Sequence, residues 1–176
     1  EEDSITLFSR IQKNFFRKNE EHLKNKFISG TPDLFIGESI SKAEQIIDIK
    51  SSWDIFTFFR TKSADLNKSY YWQLQGYMAL TGAYSATLAY CLVNTPDVMI
   101  QDEKRKLMWK MGVISDMNTD YQEAADKLER LSIYDDIPLE ERVNIITIER
   151  NDEDIDALYN RIIDCRKWMN ENLFKS

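Results

Sequence analysis

The sequence is poor in the residues that mark several special classes of protein. Its 176 residues include two cysteines, three prolines, five glycines and one histidine. Cys91 and Cys165 lie far apart without CxxC spacing, which argues against a disulfide scaffold and against a cysteine-based zinc site. Both cysteines occur in apolar segments, so we expect two buried, reduced thiols and, from them, a cytoplasmic location.

Long apolar runs are lacking as well. No uninterrupted apolar segment approaches the roughly 20 residues that a membrane-spanning helix needs, and no secretory signal opens the sequence. We therefore expect no membrane partner. Hydrophobic residues make up 43% of the chain and aromatic residues 12%, which excludes a disordered protein. The length predicts a single globular domain over residues 1–176.

The formal net charge of -7 decides little about a nucleic-acid partner. Net charge averages over the whole surface, whereas phosphate binding depends on the local potential. In a metal-dependent nucleic-acid enzyme, the carboxylates that hold the divalent cation add negative charge to the sequence at the very site where the phosphate binds. Basic residues are also grouped along the chain, so a nucleic-acid partner remains compatible with the composition.

Apolar periodicity predicts one α/β domain, because helical and strand-like segments follow one another and no long linker divides the chain. The helical segments are residues 3–17, 53–61, 70–81, 119–131 and 152–173. The strand-like segments are residues 24–29, 33–37, 44–50, 85–93 and 142–149. Gly82 is expected to end the third helix, and residues 85–93 to form a central strand. The charged, methionine-rich stretch after Pro96 receives no assignment.

Three short motifs in a fixed order point to phosphodiester chemistry. The sequence GTPD at residues 30–33 opens one predicted strand, DIK at residues 48–50 ends the next strong one, and QLQGY at residues 73–77 lies on the following helix. Carboxylates that converge from adjacent strands hold Mg²⁺ through hard oxygen ligands, and the metal activates a water for attack on phosphate. We therefore predict that Asp33 and Asp48 are metal ligands and catalytic residues.

The same motifs supply further candidates. Positions 48 and 50 of a strand point to one face, so Lys50 shares the site, where it would orient the attacking water or neutralise developing charge. The backbone carbonyl of Ile49, between them, is a natural further metal ligand. Gln73 and Tyr77 face the same way on the helix and would contact the DNA backbone or Lys50.

Other features are open to two interpretations. Ser51 and Ser52 would donate hydrogen bonds to a DNA phosphate or cap a helix at Trp53. The aromatic cluster in residues 53–59 would stack on DNA ends or, as is commoner, pack in the core. The basic cluster in residues 104–110 would line a DNA channel or form a solvated helix face. A second D-x-K motif, at residues 102–104, lies in a charged stretch without strand character, and such an isolated motif has a high false-positive risk.

The motifs and their flanks resemble the PD-(D/E)xK nuclease superfamily and are most similar to its lambda-exonuclease and YqaJ-like viral recombinase group. The matching segments are EEDSITLF, GTPDLF, IIDIKSSW, YYWQLQGYM and VNIITIERNDEDIDALYNRIIDCRKWM. The resemblance implies a restriction-endonuclease-like core, in which helices flank a mixed central β-sheet. It also places Glu1 at the position of a metal-binding helical glutamate, so Glu1 joins the predicted catalytic residues and metal ligands.

An activity and a set of partners follow from the same resemblance. It implies Mg²⁺-dependent, processive 5′→3′ digestion of linear duplex DNA in phage-type recombination, and we expect Mn²⁺ to substitute for Mg²⁺. The expected partners are double-stranded DNA ends, a single-strand-annealing protein and further copies of the chain in a ring-shaped trimer. Relatives carry a segment before the position of Glu1, so the chain is expected to lack an N-terminal segment.

Two alternatives remain. Gln73 and Tyr77 match the Q-x-x-x-Y motif of RecB-like nucleases, which would differ in polarity or cut internally; this match adds Gln73 to the catalytic candidates. The RecB-like nucleases often have a metal-binding histidine upstream of the aspartate motif. The only histidine in this sequence, His22, would be that ligand or, as is commoner for a histidine in a polar stretch, a solvated surface residue. From another class, the chain would be a DNA-binding protein without catalysis, although the complete set of Asp33, Asp48 and Lys50 argues against that.

Overall fold

A mixed β-sheet forms the centre of the fold, in a computed structural model that describes residues 1–173. Its strands are β3 (Leu34–Gly37), β4 (Ala43–Ser52), β5 (Ser85–Leu92) and β6 (Val143–Glu149), and they lie side by side in chain order. The central pair, β4 and β5, is parallel, whereas β3 and β6 are antiparallel to their neighbours. A small hairpin of β1 (Leu23–Lys24) and β2 (Ser29–Gly30) precedes the sheet.

Helices cover both faces of the sheet. They are α1 (Glu2–Gln12), α2 (Ile55–Ser63), α3 (Lys68–Thr81), α4 (Asp97–Lys110), α5 (Thr119–Arg130) and α6 (Asp152–Asn172). α2 and α3 form the long crossover that a parallel strand pair requires. α1 packs on one face, and α3 packs on the other with α6 against it. The predicted mixed sheet flanked by helices is confirmed.

The two central strands are buried because their sequences are apolar on both faces. Every residue of β5 except Tyr90 is buried, which agrees with the continuous apolar run of residues 85–93. In β4, Ile47 and Ile49 pack toward α1, whereas Ile46 packs toward α3. Since side chains alternate along a strand, the even-numbered positions 48 and 50 also face α3.

α1 ends at Gln12 and not at residue 17 as predicted. Lys13 adopts a left-handed conformation with φ of 50°, and this stops the helix. The chain then turns so that Phe16 enters the core beside Phe8, with 5.3 Å between the ring centroids. The helical spacing of Ile5, Phe8, Ile11 and Phe15 in the sequence predicts that Phe15 is buried, but Phe15 is 87% exposed and Phe16 is buried instead.

Two further segments differ from the sequence prediction. Residues 24–29 form a turn between two short strands, because the Asn25 side chain accepts the backbone N–H groups of Phe27 and Ile28 and bends the chain. The unassigned stretch after Pro96 is the helix α4. The end of α3 follows the prediction, with Gly82 in the left-handed region at φ of 84°.

Only one of the two cysteines is buried. Cys91 lies inside the sheet as predicted, and burial raises its pKa to about 12. The prediction for Cys165 is wrong, because this residue is exposed on α6. Sequence neighbours on a helix point in different directions, so the apolar residues beside Cys165 do not cover it. Within residues 1–173, no helix combines the length and apolar character needed to cross a lipid bilayer.

Candidate active site

The two predicted aspartates meet at the edge of the sheet where β3 begins. Asp33 directly precedes β3, and its Oδ2 atom accepts a hydrogen bond from the Ile49 backbone N–H at 2.8 Å. Asp48 and Lys50 flank Ile49 in β4 and point to the same face. The negative charge of Asp48 raises the pKa of Asp33, and the Lys50 ammonium lowers it. The structure thus brings Asp33, Asp48 and Lys50 together.

Pro32 gives the motif before Asp33 a physical role. The antiparallel register, continued by two residues before Leu34, sets Pro32 opposite Ile49. Proline has no N–H, and the Pro32 carbonyl accepts the Asn19 amide at 2.9 Å. In a strand, the N–H and C=O groups of one residue point to the same side. The Ile49 carbonyl therefore points toward Asp33 and faces no backbone donor from β3.

Asp48 carries a buried oxygen with spare acceptor capacity. The residue is 1% exposed, and the Lys50 Nζ lies 2.7 Å from its Oδ2 atom. Apart from Lys50, no described residue donates a hydrogen bond to Oδ2. Burial raises the pKa of Asp48, while the Lys50 ammonium opposes the rise. A buried carboxylate oxygen in this state favours the binding of a cation.

Burial also raises the pKa of Asp33, to about 6. The hydrogen bond from Ile49 lowers this pKa, whereas the charges of Asp48 and Glu1 raise it further. Neighbouring carboxylates that raise the pKa of Asp33 in this way repel its ionised form. An additional cation at this edge would relieve that repulsion.

Two neighbours hold Lys50 in its charged form. Burial alone would lower the pKa of Lys50, but the ion pair with Asp48 outweighs burial and the pKa lies above its usual value. Its Nζ also lies 4.8 Å from the centroid of the Tyr70 ring, which is a cation–π distance. Tyr70 is not among the site residues predicted from the sequence. Its position three residues before Gln73 and seven before Tyr77, on one face of α3, is the signal that identifies it.

Gln73 and Tyr77 lie on the side of α3 that faces the site. Gln73 Nε2 donates to the Tyr77 hydroxyl at 3.0 Å. Burial raises the pKa of Tyr77, and Asp48 and Asp33 add to the rise, so the hydroxyl keeps its proton. The tyrosine ring lies against Gly30, where an added Cβ would meet Tyr77 Cε1 at 2.7 Å. Gly30 opens the GTPD motif, in which the sequence alone assigns it no role. Because it has no Cβ, it lets Tyr77 approach the turn that carries Asp33.

Gln75, in the middle of the same motif, has a structural role. It is fully buried, and its Nε2 atom donates to the Glu149 carbonyl at 2.9 Å. Its Oε1 atom accepts the Asn151 backbone N–H, also at 2.9 Å. These two hydrogen bonds hold α3 against the turn between β6 and α6. They therefore help to position Gln73 and Tyr77, which lie on the same helix.

Glu1 lies at the start of α1, where its carboxylate forms an ion pair with Lys18 at 2.9 Å. Its charge raises the pKa of Asp33 and Asp48, so it acts on the site electrostatically. Among residues 1–173, no three His, Cys, Asp or Glu side chains are grouped closely enough to hold a metal ion. Metal ligation by Asp33, Asp48, the Ile49 carbonyl and Glu1 therefore stays a prediction.

Solved structures of exonucleases share this architecture. A phage-related exonuclease from Haemophilus somnus 129PT matches 97% of this chain and 67% of its own chain, with a TM-score of 0.64 and 27% sequence identity. The alkaline exonuclease LHK-Exo from Laribacter hongkongensis matches 97% of this chain and 64% of its own, with a TM-score of 0.59 and 13% identity.

The chain resembles the PD-(D/E)xK nucleases of the viral-recombinase type. A structure of LHK-Exo in complex with dAMP also matches, with a TM-score of 0.53 and 14% identity over 92% of this chain and 60% of its own. The two LHK-Exo matches show a common fold, and the similarity to the Haemophilus exonuclease supports a nuclease. The chain spans about two thirds of the length of these exonucleases. No family model and no curated protein matches the sequence.

The two serines after Lys50 do not cap the next helix of this nuclease-like fold. Asp54 caps α2, where its side chain accepts two backbone N–H groups, so the capping interpretation is wrong. Ser51 shares a hydrogen bond of 2.6 Å with the hydroxyl of Ser4 on α1. Ser52 is buried. Contact of either serine with DNA stays a prediction.

The aromatic cluster on and before α2 divides between core and surface. Phe58 is fully buried, whereas Trp53, Phe56 and Phe59 are 46%, 72% and 54% exposed. Core packing, the commoner interpretation, therefore holds for Phe58 and fails for the other three. Their exposure leaves an aromatic surface on the segment that directly follows β4.

The remaining candidates lie outside the site. In the second D-x-K motif, Asp102 pairs with Lys106 at 2.9 Å and Lys104 pairs with Glu129, so these residues form ion pairs on and beside α4. That arrangement fits the solvated helix face. His22 is exposed and shares a hydrogen bond of 3.0 Å with the Thr31 hydroxyl.

Proposed function

We propose that the protein is a Mg²⁺-dependent deoxyribonuclease that hydrolyses DNA phosphodiester bonds at the β3–β4 edge. One observation carries the proposal: the Lys50 ammonium is held 2.7 Å from the buried Asp48 carboxylate, beside Asp33 bonded to Ile49. A structural ion pair alone would not need a second, partly buried carboxylate next to it. Phosphodiester hydrolysis needs both a cation site and a fixed positive charge.

The oxygen atoms at this edge fit a hard divalent cation. Asp48 Oδ2 has spare acceptor capacity, Asp33 has a second carboxylate oxygen beyond the one bonded to Ile49, and the Ile49 carbonyl faces the same side. Mg²⁺ prefers oxygen ligands of this kind, and we expect Mn²⁺ to substitute for it. When bound there, the cation would supply Lewis-acid polarisation of the phosphate.

The side chains around these oxygens have separate tasks. Lys50 stays protonated, so it places a fixed positive charge where negative charge develops on the phosphate oxygens. Tyr70 covers the ammonium and keeps it close to Asp48. The Tyr77 hydroxyl, which accepts a hydrogen bond from Gln73, keeps its own proton free to donate to a DNA phosphate.

The finer activity is proposed from the resemblance and from the exonuclease with 27% identity. The preferred substrate is linear duplex DNA, digested exonucleolytically in the 5′→3′ direction in phage-type recombination. The proposed partners are double-stranded DNA ends, a single-strand-annealing protein and two further copies of the chain in a trimer. We place this activity in the cytoplasm.

A substrate panel tests the proposal. Linear duplex DNA labelled at the 5′ or the 3′ end and closed circular DNA are incubated with Mg²⁺, with Mn²⁺ and with EDTA. We expect metal-dependent loss of the 5′ label from linear DNA and no cutting of circles. Loss of the 3′ label first, or cutting of circles, would support the RecB-like alternative of other polarity or internal cleavage. Binding without cleavage under every condition would leave the DNA-binding alternative.

A further inference from the structure

A groove of about 580 Å³ lies beside the candidate site. Residues 14–21, which follow α1, form one wall, and residues 35–37 of the edge strand β3 form the other. We call it the edge groove. A second groove of about 360 Å³, lined by residues 5–16, adjoins it, and the two share the exposed side chain of Phe15. Neither groove takes part in the proposed catalytic chemistry.

The wall of the edge groove is bonded directly to the site. Lys18 forms the ion pair of 2.9 Å with Glu1. The Asn19 backbone N–H donates to the Asp33 carbonyl at 2.7 Å, and the Asn19 side chain donates to the Pro32 carbonyl at 2.9 Å. The same turn therefore positions Asp33 and the groove wall, so a strand lying in the groove would run up to the site.

The backbone around Phe15 is held on both sides. Phe16 is buried against Phe8, and its backbone N–H donates to the Ser9 hydroxyl at 3.2 Å. On the other side, Lys13 is the one residue other than glycine among residues 1–173 with a positive φ. Such a conformation costs on the order of 1 kcal/mol and is kept where the surroundings impose it. Phe15 is thus presented to solvent on a fixed backbone.

Positive charge is concentrated around this phenylalanine. Residues 10–19 include Arg10, Lys13, Arg17 and Lys18 and no acidic residue, in a chain whose net charge is -7. Arg10, Lys13 and Arg17 form no ion pair with any side chain in the described part of the chain. Glu20 and Glu21 also line the groove, directly after Asn19 in the chain, so the positive charge lies on the Phe15 side of Asn19. A single nucleic-acid strand binds through contacts to its phosphates and through stacking of its bases. Unpaired cations can supply the phosphate contacts, and an exposed aromatic ring can supply the stacking platform.

We propose that the edge groove and the second groove beside it bind an unpaired DNA strand next to the cleavage site. Phe15 would stack on a base, Arg17 would contact a phosphate in the edge groove, and Lys13 would contact a phosphate in the second groove. The strand must be unpaired because in a duplex the base faces are covered by stacking, so a side chain reaches them only at an end or in single-stranded DNA. The nature of the ligand rests on the proposed function. The location rests on the groove, the charges and the bonds to Asp33.

The exposed aromatic surface of α2 is the competing location for such a strand. Its Lys62 is already engaged, since Nζ donates to the Glu141 carbonyl at 3.1 Å and lies 5.1 Å and 5.3 Å from the centroids of Phe58 and Phe59. By contrast, Arg17 in the edge groove and Lys13 in the second groove form no ion pair with any described residue. This difference in available positive charge favours the two grooves over α2.

The test measures binding without cleavage. Fluorescence anisotropy of a labelled oligothymidylate of about 12 nucleotides is followed in EDTA, where a metal-dependent enzyme cannot cut. We expect Phe15→Ala to weaken binding by about 5- to 150-fold, because stacking on an aromatic side chain contributes that much per base. Arg17→Gln should reduce the slope of log affinity against log salt by about 0.7. Trp109→Ala, an equally exposed aromatic on α4, is the matched control and should bind like the wild type.

The outcomes separate this inference from the proposed function. If the wild type fails to bind the oligonucleotide, or if Phe15→Ala binds as tightly as the wild type, the inference is overturned. A loss in Phe56→Ala together with an unchanged Phe15→Ala would overturn it as well, since the strand would then lie on α2. If Phe15→Ala and Arg17→Gln show the expected losses but wild-type protein cleaves no DNA with Mg²⁺ or Mn²⁺, the inference stands and the nuclease proposal fails.

Discussion

Asp33 Oδ2 accepts the Ile49 backbone N–H at 2.8 Å, and this bond joins the first motif of the candidate site to the second. This hydrogen bond fixes the position of the Asp33 carboxylate. The carboxylate is partly buried there, and burial raises the pKa of Asp33 to about 6. An acid with a higher pKa in the folded state than in the unfolded state binds its proton more tightly when folded. Ionised Asp33 therefore costs folding stability at neutral pH whenever no cation is bound.

The first prediction is that Asp33→Asn stabilises the metal-free protein at pH 7.5. The amide oxygen can keep the bond to Ile49 while the buried charge is removed. The rise of about two pKa units, discounted for partial exposure, corresponds to about 1–2 kcal/mol. As the pH falls from 7.5 through 6 to 5, wild-type Asp33 takes up its proton and the advantage of asparagine should shrink. Urea unfolding in EDTA at these pH values measures it.

Asp33→Ala is the matched comparison for this prediction. Alanine removes the charge as asparagine does, but it leaves the Ile49 N–H without its acceptor. We expect it to be less stable than Asp33→Asn by about 1–3 kcal/mol. A stability difference between Asp33→Asn and the wild type that stays constant from pH 7.5 to 5 would show that the Asp33 carboxylate does not titrate as described.

The second prediction concerns the pair of Asp48 and Lys50. Asp48→Ala removes the buried oxygen that faces the cation site, and Lys50→Ala removes the fixed positive charge. We expect each to lower the rate of DNA cleavage by at least about 100-fold, because preorganised charge at a reacting phosphate contributes that much or more. DNA binding in EDTA should survive. Single-turnover cleavage and anisotropy measure the two quantities separately.

The second D-x-K motif provides the control for this experiment. Asp102→Asn and Lys104→Gln remove the same residue types from α4, where both residues form ion pairs away from the site. They should cleave DNA at the wild-type rate. Near wild-type cleavage by both Asp48→Ala and Lys50→Ala, or a loss in the α4 variants alone, would move the active site elsewhere.

The central strands and their catalytic residues follow from the sequence because burial on two faces leaves a strong local signal. The apolar runs in the sequence predict the strands β4 and β5. The alternation of side chains along β4 then predicts the face of the sheet to which Asp48 and Lys50 point. α4 is not predicted from the sequence, because little of it is buried and its local apolar signal is weak. Ile100 is its only buried residue, so it has almost no apolar stripe. Its local signal is the spacing of Asp102 from Arg105 and Lys106, which form ion pairs along the helix.

Other parts of the site depend on contacts between distant segments, which periodicity does not encode. Lys50 meets Tyr70 only because α3 crosses the sheet at that point. The ion pair of Glu1 with Lys18 depends on the early end of α1 at a lysine in a left-handed conformation, where a glycine would have been the usual signal. The site residues on the strands are therefore easier to predict from the sequence than the residues that contact them.

The third prediction separates the two cysteines. Cys91 is buried and its pKa is raised to about 12, so it should resist thiol reagents in the folded protein. Cys165 is exposed and should react. Titration with a chromogenic disulfide reagent should count one reactive thiol in the native protein and two in urea. Cys165→Ser should abolish the native reaction, whereas reaction of both thiols before unfolding would contradict the position of Cys91.

The fourth prediction tests the contact between Gly30 and Tyr77. Gly30 has no positive φ, so alanine there meets no backbone strain, and its one severe contact is with the Tyr77 ring at 2.7 Å. We expect Gly30→Ala to destabilise the protein by about 1–3 kcal/mol, because the ring must move away from a packed position. Gly76→Ala is the control on α3. Its new Cβ would make ordinary contacts of 3.5 Å and 3.9 Å, so it should be neutral or stabilise by up to about 1 kcal/mol.

A double-mutant cycle makes this prediction specific to Tyr77. If the tyrosine ring is the obstacle, Gly30→Ala should cost little free energy of unfolding in a Tyr77→Ala background, and the two changes should be strongly non-additive. Urea unfolding of the four proteins provides the coupling. The displaced ring would also carry its hydroxyl away from Asp33 and Asp48, so Gly30→Ala should lose cleavage rate although Gly30 has no reactive group. An additive cycle would mean that the Gly30 position is sensitive for a reason other than Tyr77.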